Sequence, residues 1–140
     1  MLGFGNSIFK VMSSIFSKII SGEIESYKVA EDEKHIAFLD AMPLVKGHTL
    51  VVPKKETDLI FDLDSEDYKE LWAFTQDIAK QIKKAVPCKR VGIAVVGLEV
   101  PHAHIHLVPL NSIDDLNFKN ARLKLSPEEY RQIQQTIISA

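Results

Sequence analysis

Apolar and polar positions alternate with period two in one run of this chain, Pro101-His102-Ala103-His104-Ile105-His106-Leu107-Val108-Pro109. Period two predicts a strand, because successive side chains of a strand point to opposite faces. One face then carries His102, His104 and His106, and the other carries Ala103, Ile105 and Leu107, which can enter a core. Further apolar runs predict more strands. Tyr27–Glu31 and His35–Leu39 are joined by a turn at Asp32-Glu33-Lys34, and Thr49–Pro53 follows the loop Val45–His48. Arg90–Val96 is apolar almost throughout, as expected of a strand covered on both faces. The short connection 97–101 pairs it with the histidine strand.

Helical spacing governs the rest. Ile15, Phe16, Ile19 and Ile20 share one face of a short helix that begins at Ser14 and stops near Gly22. Leu71, Phe74, Ile78 and Ile82 define a long helix, capped by Asp64 or Ser65 and running to about Ala85. Ser126-Pro127-Glu128-Glu129 opens a last helix reaching about Ile138, with proline at its first position and acids in its first turn. Residues 111–125 read as irregular. Five strands with a few segregated helices predict an α+β fold, and the hairpins predict an antiparallel sheet.

At 140 residues the chain is expected to form one domain, and 46% hydrophobic with 26% charged residues matches a globular protein. A net charge of −2 gives no electrostatic case for a nucleic-acid or membrane partner. The lone Cys88 cannot close an internal disulfide, which fits a reducing compartment and a cytoplasmic location. The apolar stretch Met1–Ile20 is interrupted by Lys10 and Lys18 and has no basic segment before it, so it reads as neither signal peptide nor membrane span. Residues 1–13 are expected to be a loose extension, with Met12 an alternative start.

The histidine row carries the chemistry. Imidazole titrates near neutrality, and one strand face can hold a nucleophile, a proton donor and a phosphate contact side by side. Three ligands for one metal ion are not expected from it. Same-face neighbours lie ~6.6 Å apart, so His102 and His106 would be ~13 Å apart on a straight strand, too far to share an ion at ~2.1 Å. No Cys-x-x-Cys pair is present. Catalysis without metal or cofactor is therefore the expectation.

The motif His102-Ala-His104-Ile-His106-Leu-Val resembles that of the histidine triad (HIT) superfamily. Upstream segments resemble it in the same order: Ile15-Phe16…Ile19-Ile20 with Gly22-Glu23-Ile24, then Ala37-Phe38-Leu39-Asp40…Pro43, then Gly47-His48-Thr49 through Lys54. The likeness spans about residues 14–110, taken as the HIT domain, and leaves 111–140 as a C-terminal segment. It implies a five-stranded sheet that joins its twin into ten strands in a homodimer. It implies a hydrolase or transferase that cleaves a P–N or P–O bond at the α-phosphate of a purine nucleotide. His104 would be the nucleophile and His106 would face a phosphate oxygen. His102 and His48 would orient the triad and pass protons to the leaving group. Asp40 would bind ribose hydroxyls, and Ile15, Phe16, Ile19 and Phe38 would clamp the base.

Departures from the pattern bear on substrate. Glu99 stands where relatives have a hydroxyl residue that touches phosphate, and a carboxylate there repels it unless turned away, protonated or paired with a triad histidine. Glu56 stands where relatives often have histidine. Ser14 and Ser17 occupy positions that are zinc-binding cysteines in some branches, so no structural zinc is expected. The 97–101 loop has no Lys or Arg to hold a longer phosphate chain, which favours adenosine 5′-phosphoramidates over dinucleoside polyphosphates. A nucleotide-binding scaffold with little activity is the non-enzymatic alternative.

Overall fold

A computed structural model gives the fold and describes residues 14–140; the predicted extension 1–13 lies outside the described residues. A short helix α1 (Ile15–Ile20) leads into strands β1 (Lys28–Glu31), β2 (His35–Leu39) and β3 (Thr49–Pro53). A long helix α2 (Ser65–Ala85) follows, then β4 (Arg90–Ala94), β5 (Ile105–Leu110) and a last helix α3 (Pro127–Ile138). The strands form one antiparallel sheet in the order β1-β2-β3-β5-β4, so the predicted α+β architecture is the observed one.

Alternation in the strands sorts side chains onto two faces. Ala37, Leu39, Val51, Ile105 and Leu107 meet Leu71, Ile78 and Ile82 of α2 and Ile137 of α3 in the main core. Each Val, Leu or Ile side chain among them, when fully buried, contributes about 1.5–3 kcal/mol. The opposite face of β2 and β3 carries Ile36, Phe38, Leu50 and Val52, which pack with Phe16 of α1. Helix ends follow local chemistry. Asp64 accepts from the Asp67 N–H at 2.8 Å to start α2, and Ser126 with Glu129 forms a reciprocal cap on α3. Among the described residues no helix is long and apolar enough to cross a membrane.

The histidine strand differs from its prediction at its start. The ladder of β5 begins only at Ile105, because the His102 N–H turns to the Val100 carbonyl (2.8 Å) and the Ala103 N–H to the Thr57 carbonyl (2.7 Å). β4 ends at Ala94, paired with His106, and the chain then turns away through Gly97 at φ +73°. Nor is β4 covered on both faces: it is an edge strand, with Ile93 49% and Val96 just beyond it 48% exposed. Gly47 is required where it stands. Its φ is +91°, and a Cβ would meet Val86 Cγ2 at 2.9 Å and Pro109 Cγ at 3.1 Å, so any side chain would push on Val86 and Pro109 and disturb the turn that leads into His48.

Candidate active site

A cavity of about 560 Å³ opens over the face of the sheet opposite α2. Ile15, Phe16 and Ile19 of α1, Phe38 of β2, Asp40, Glu99, His104 and His106 all line it. The register explains the meeting of apolar and imidazole groups, since Phe38 pairs with Leu50 and Leu50 pairs with His106. His48 and His102 are buried behind the cavity wall and do not line it.

The hydrogen bonds assign each imidazole its protons. The Leu44 N–H donates to His48 Nδ1 at 3.0 Å, so the proton of a neutral His48 is on Nε2. That Nε2–H donates to His106 Nδ1 at 3.0 Å, which places the His106 proton on Nε2. His104 Nδ1 lies 2.8 Å from the His102 carbonyl, which can only accept, so Nδ1 carries the proton and Nε2 keeps a lone pair. Burial first, then the positive charge of Arg122 and of any proton added to the adjoining rings, pushes His48 down to about 3. Burial, then His104 and Arg122, pushes His106 down to about 4. Both rings are neutral at pH 7. The cavity thus holds one imidazole lone pair beside one imidazole N–H, with ring centroids 4.9 Å apart.

His102 is held differently. Its Nε2–H donates to the Pro53 carbonyl at 2.7 Å, so Nδ1 accepts from Ser14 Oγ at 2.7 Å. Glu56 Oε1 in turn accepts from the Ser14 N–H (2.9 Å) and the Ser17 hydroxyl (2.6 Å). The Ser17 hydroxyl first, then the Ser14 N–H, holds the Glu56 carboxyl below its ordinary range. Both His102 ring nitrogens are engaged inside the protein and the ring has no exposure. Its carbonyl holds His104 Nδ1, and its ring is tied to α1 through Ser14. His48 adjoins the cavity through two residues that line it, His106 by its hydrogen bond and Asp40. The same cluster does not suit zinc, since two neutral hydroxyls replace thiolates and their oxygens already serve His102 and Glu56.

The HIT domain family matches residues 21–113. The chain belongs to the HIT family. An uncharacterized HIT-like protein of Borreliella burgdorferi is 34% identical over 88% of this chain and 94% of its own length. The adenosine 5′-monophosphoramidase hnt1 of Schizosaccharomyces pombe is 31% identical over 91% of this chain and 98% of its own. Among solved structures, a HIT-like protein from Bartonella henselae superposes with a TM-score of 0.79 at 31% identity, covering 91% of this chain and 95% of that one.

Other HIT positions fall as follows. Asp40 Oδ1 accepts from the Met42 N–H at 2.8 Å, and Oδ2 lies 3.4 Å from His48 Nε2. Burial raises the Asp40 pKa, against the Met42 N–H and the Arg122 charge, which lower it. Asp40, His48 and His106 bring ligand atoms within 4.8 Å of one another, and they are the group among the described residues that could gather a metal ion. They are not the three histidines of the row. Glu99 is exposed at the cavity rim and makes no hydrogen bond or ion pair with a histidine among the described residues. The carboxylate that does approach a triad ring is Glu56, 4.0 Å from His102 Nδ1.

Sequence reasoning missed the contribution of residues beyond 113. Phe118 stands edge-on to His106, with centroids 4.8 Å apart, and Arg122 lies 5.5 Å over Phe118. Both line the cavity. The Tyr130 hydroxyl on α3 donates to the Asp40 carbonyl at 2.9 Å and fixes the turn after β2. The one signal was an aromatic, Phe118, and an arginine, Arg122, inside an irregular stretch of mixed polar and apolar residues.

Proposed function

We propose that this HIT protein is a nucleotide hydrolase or transferase acting at the α-phosphorus of a purine nucleotide, with adenosine 5′-phosphoramidate-type substrates. The observation that carries the reading is the one-way hydrogen-bond order, which leaves His104 Nε2 as a lone-pair donor and His106 Nε2 as an N–H donor. In the reaction, His104 Nε2 bonds to phosphorus and the bond from phosphorus to the leaving nitrogen breaks. That nitrogen leaves as the amine with a proton taken from water, while the neutral His106 keeps its Nε2–H and donates it as a hydrogen bond to a non-bridging phosphate oxygen. Water then attacks the nucleotidyl-histidine, its proton returns to solvent, and the phosphorus–nitrogen bond breaks to free His104 as the neutral imidazole. Asp40 would accept from the ribose hydroxyls, and Phe16, Ile19 and Phe38 would hold the base. The phosphoramidase relative supports this substrate class. Dinucleoside polyphosphate hydrolysis is the second reading, favoured by the arginine in the cavity wall.

The two readings are separated by kcat/KM on adenosine 5′-phosphoramidate and on diadenosine tetraphosphate, measured with EDTA present. We expect turnover to survive EDTA and the phosphoramidate to be favoured by about 10-fold or more, a barrier difference of about 1.4 kcal/mol. Preference for the tetraphosphate would replace the first reading with the second. AMP binding without turnover of either would leave a binding protein.

We further propose a homodimer joined along β4. The edge position of β4, the exposure of Ile93 and the buried Trp72 Nε1–H, which has no partner among the described residues, support a second copy on this side. Light scattering at micromolar concentration is expected to give twice the chain mass; a monomer would refute it.

A further inference from the structure

The cavity wall carries three carboxylates, Glu25, Asp40 and Glu99, and among the described residues one Lys or Arg side chain, that of Arg122. Arg122 comes from the irregular stretch outside the HIT match of residues 21–113. Its Nη1 donates to the Met42 carbonyl at 3.0 Å and its Nη2 to the Phe118 carbonyl at 3.4 Å. Those bonds fix the guanidinium but use two of its five N–H donors. No carboxylate forms an ion pair with it among the described residues. Its charge is nonetheless felt in the cavity, since it opposes protonation of His48 and His106 and favours the Asp40 carboxylate.

Position gives this charge a direction. Ring contacts run in order from Phe16 to His104 (4.9 Å), His104 to His106 (4.9 Å) and His106 to Phe118 (4.8 Å), where Arg122 lies over the ring. The apolar end, with Phe16 against Phe38, suits a base. The middle of the row holds the lone pair and the N–H that suit the α-phosphate. The far end holds the arginine. We propose that Arg122 is a specificity-determining residue that binds an anionic group carried by the leaving group, a phosphate or a carboxylate beyond the scissile bond. This rests on the nucleotide reading above and adds to it the charge of the group that departs. Charge-assisted bonds from a planar guanidinium suit either oxyanion.

The test is binding of three uncleavable adenosine analogues to the full chain by calorimetry. Adenosine 5′-methylphosphonate, whose one charge is on the first phosphorus, is the control without an anion beyond it. α,β-Methylene-ADP places a phosphonate beyond the first phosphorus, and adenosine 5′-phosphonoacetate places a carboxylate there. Both anionic analogues are expected to bind about 10-fold or more tighter than the control. Arg122→Gln is expected to reduce that advantage to about threefold or less while the control keeps its affinity, and Arg122→Lys to retain part of it. Unchanged control affinity shows that the cavity survives loss of the two carbonyl contacts. A stronger gain for the phosphonate than for the carboxylate, or the reverse, names the source of the anion. No gain for either anion in the wild type overturns the inference, as does a gain that persists in Arg122→Gln. Equal weakening of all three analogues also overturns it, because Arg122 would then serve the shared phosphate or merely tether its segment. Failure of the control and of AMP to bind the wild type defeats the nucleotide reading itself.

Discussion

His104→Ala is expected to lower kcat by roughly 1,000-fold or more while AMP affinity stays within about threefold, because a nucleophile contributes to the transition state far more than to ground-state binding. The structure explains why the effect centres on this ring. His104 has its Nδ1 proton fixed on the His102 carbonyl, so the opposite nitrogen keeps its lone pair without needing a base to remove a proton. His106 cannot substitute, because its Nδ1 is occupied by the His48 Nε2–H. His104→Asn should behave like the alanine variant. Stopped-turnover mass spectrometry on the wild type should show an adenylyl group on His104 that is missing in both variants. A variant with near wild-type kcat would remove His104 from the nucleophile's role, whatever its affinity for AMP.

Acidification is expected to unfold the protein from its active site outwards. An unfolded histidine titrates near ~6.5, whereas His48 and His106 in the fold are pushed down to about 3 and about 4. His102 is lowered too, chiefly by burial. Below about 6.5 the unfolded chain takes up protons that the native rings refuse, so stability rises with pH through this window and falls on acidification. The loss for His106 continues down to about pH 4 and for His48 towards about pH 3. By pH 4.5 each ring costs roughly 2–3 kcal/mol. Asp40 acts in the opposite sense, since its raised pKa lets the native state bind a proton before the unfolded one does. That offset is confined to pH values around and below its raised pKa. Thermal melts should show Tm falling by roughly 10 °C or more between pH 7 and pH 4.5. His48→Asn with His106→Asn should flatten the profile over that range. A wild-type Tm unchanged over the same interval would contradict buried neutral rings.

The sequence by itself determined the alternation of the histidine strand, the long helix from Ser65 and the capped last helix. These are local consequences of period two, period 3.6 and hydrogen-bonding side chains at helix starts; both helices have the predicted ends, and the ladder of the histidine strand starts three residues late, at Ile105. It also determined which residues could do chemistry, since His104 and His106 share a strand face whatever that strand packs against. Tertiary structure decided what surrounds each group. The alternation of His102 with its neighbours put a third imidazole on the same strand face, but the chain leaves the ladder before Ile105 and buries that ring between Ser14 and Pro53. Proton placement on His48 and His106 depended on the Leu44 N–H, a backbone donor with no sequence signature. Glu99 was legible as a departure in the loop, yet the carboxylate that reaches a triad histidine comes from Glu56, through residues 42 and 39 positions away along the chain. Arg122 had no periodicity to announce it, because irregular chain carries no repeating constraint. Its place over Phe118 follows from contacts with Met42, 80 residues earlier, and such long-range closure is a property of packing that no local pattern encodes.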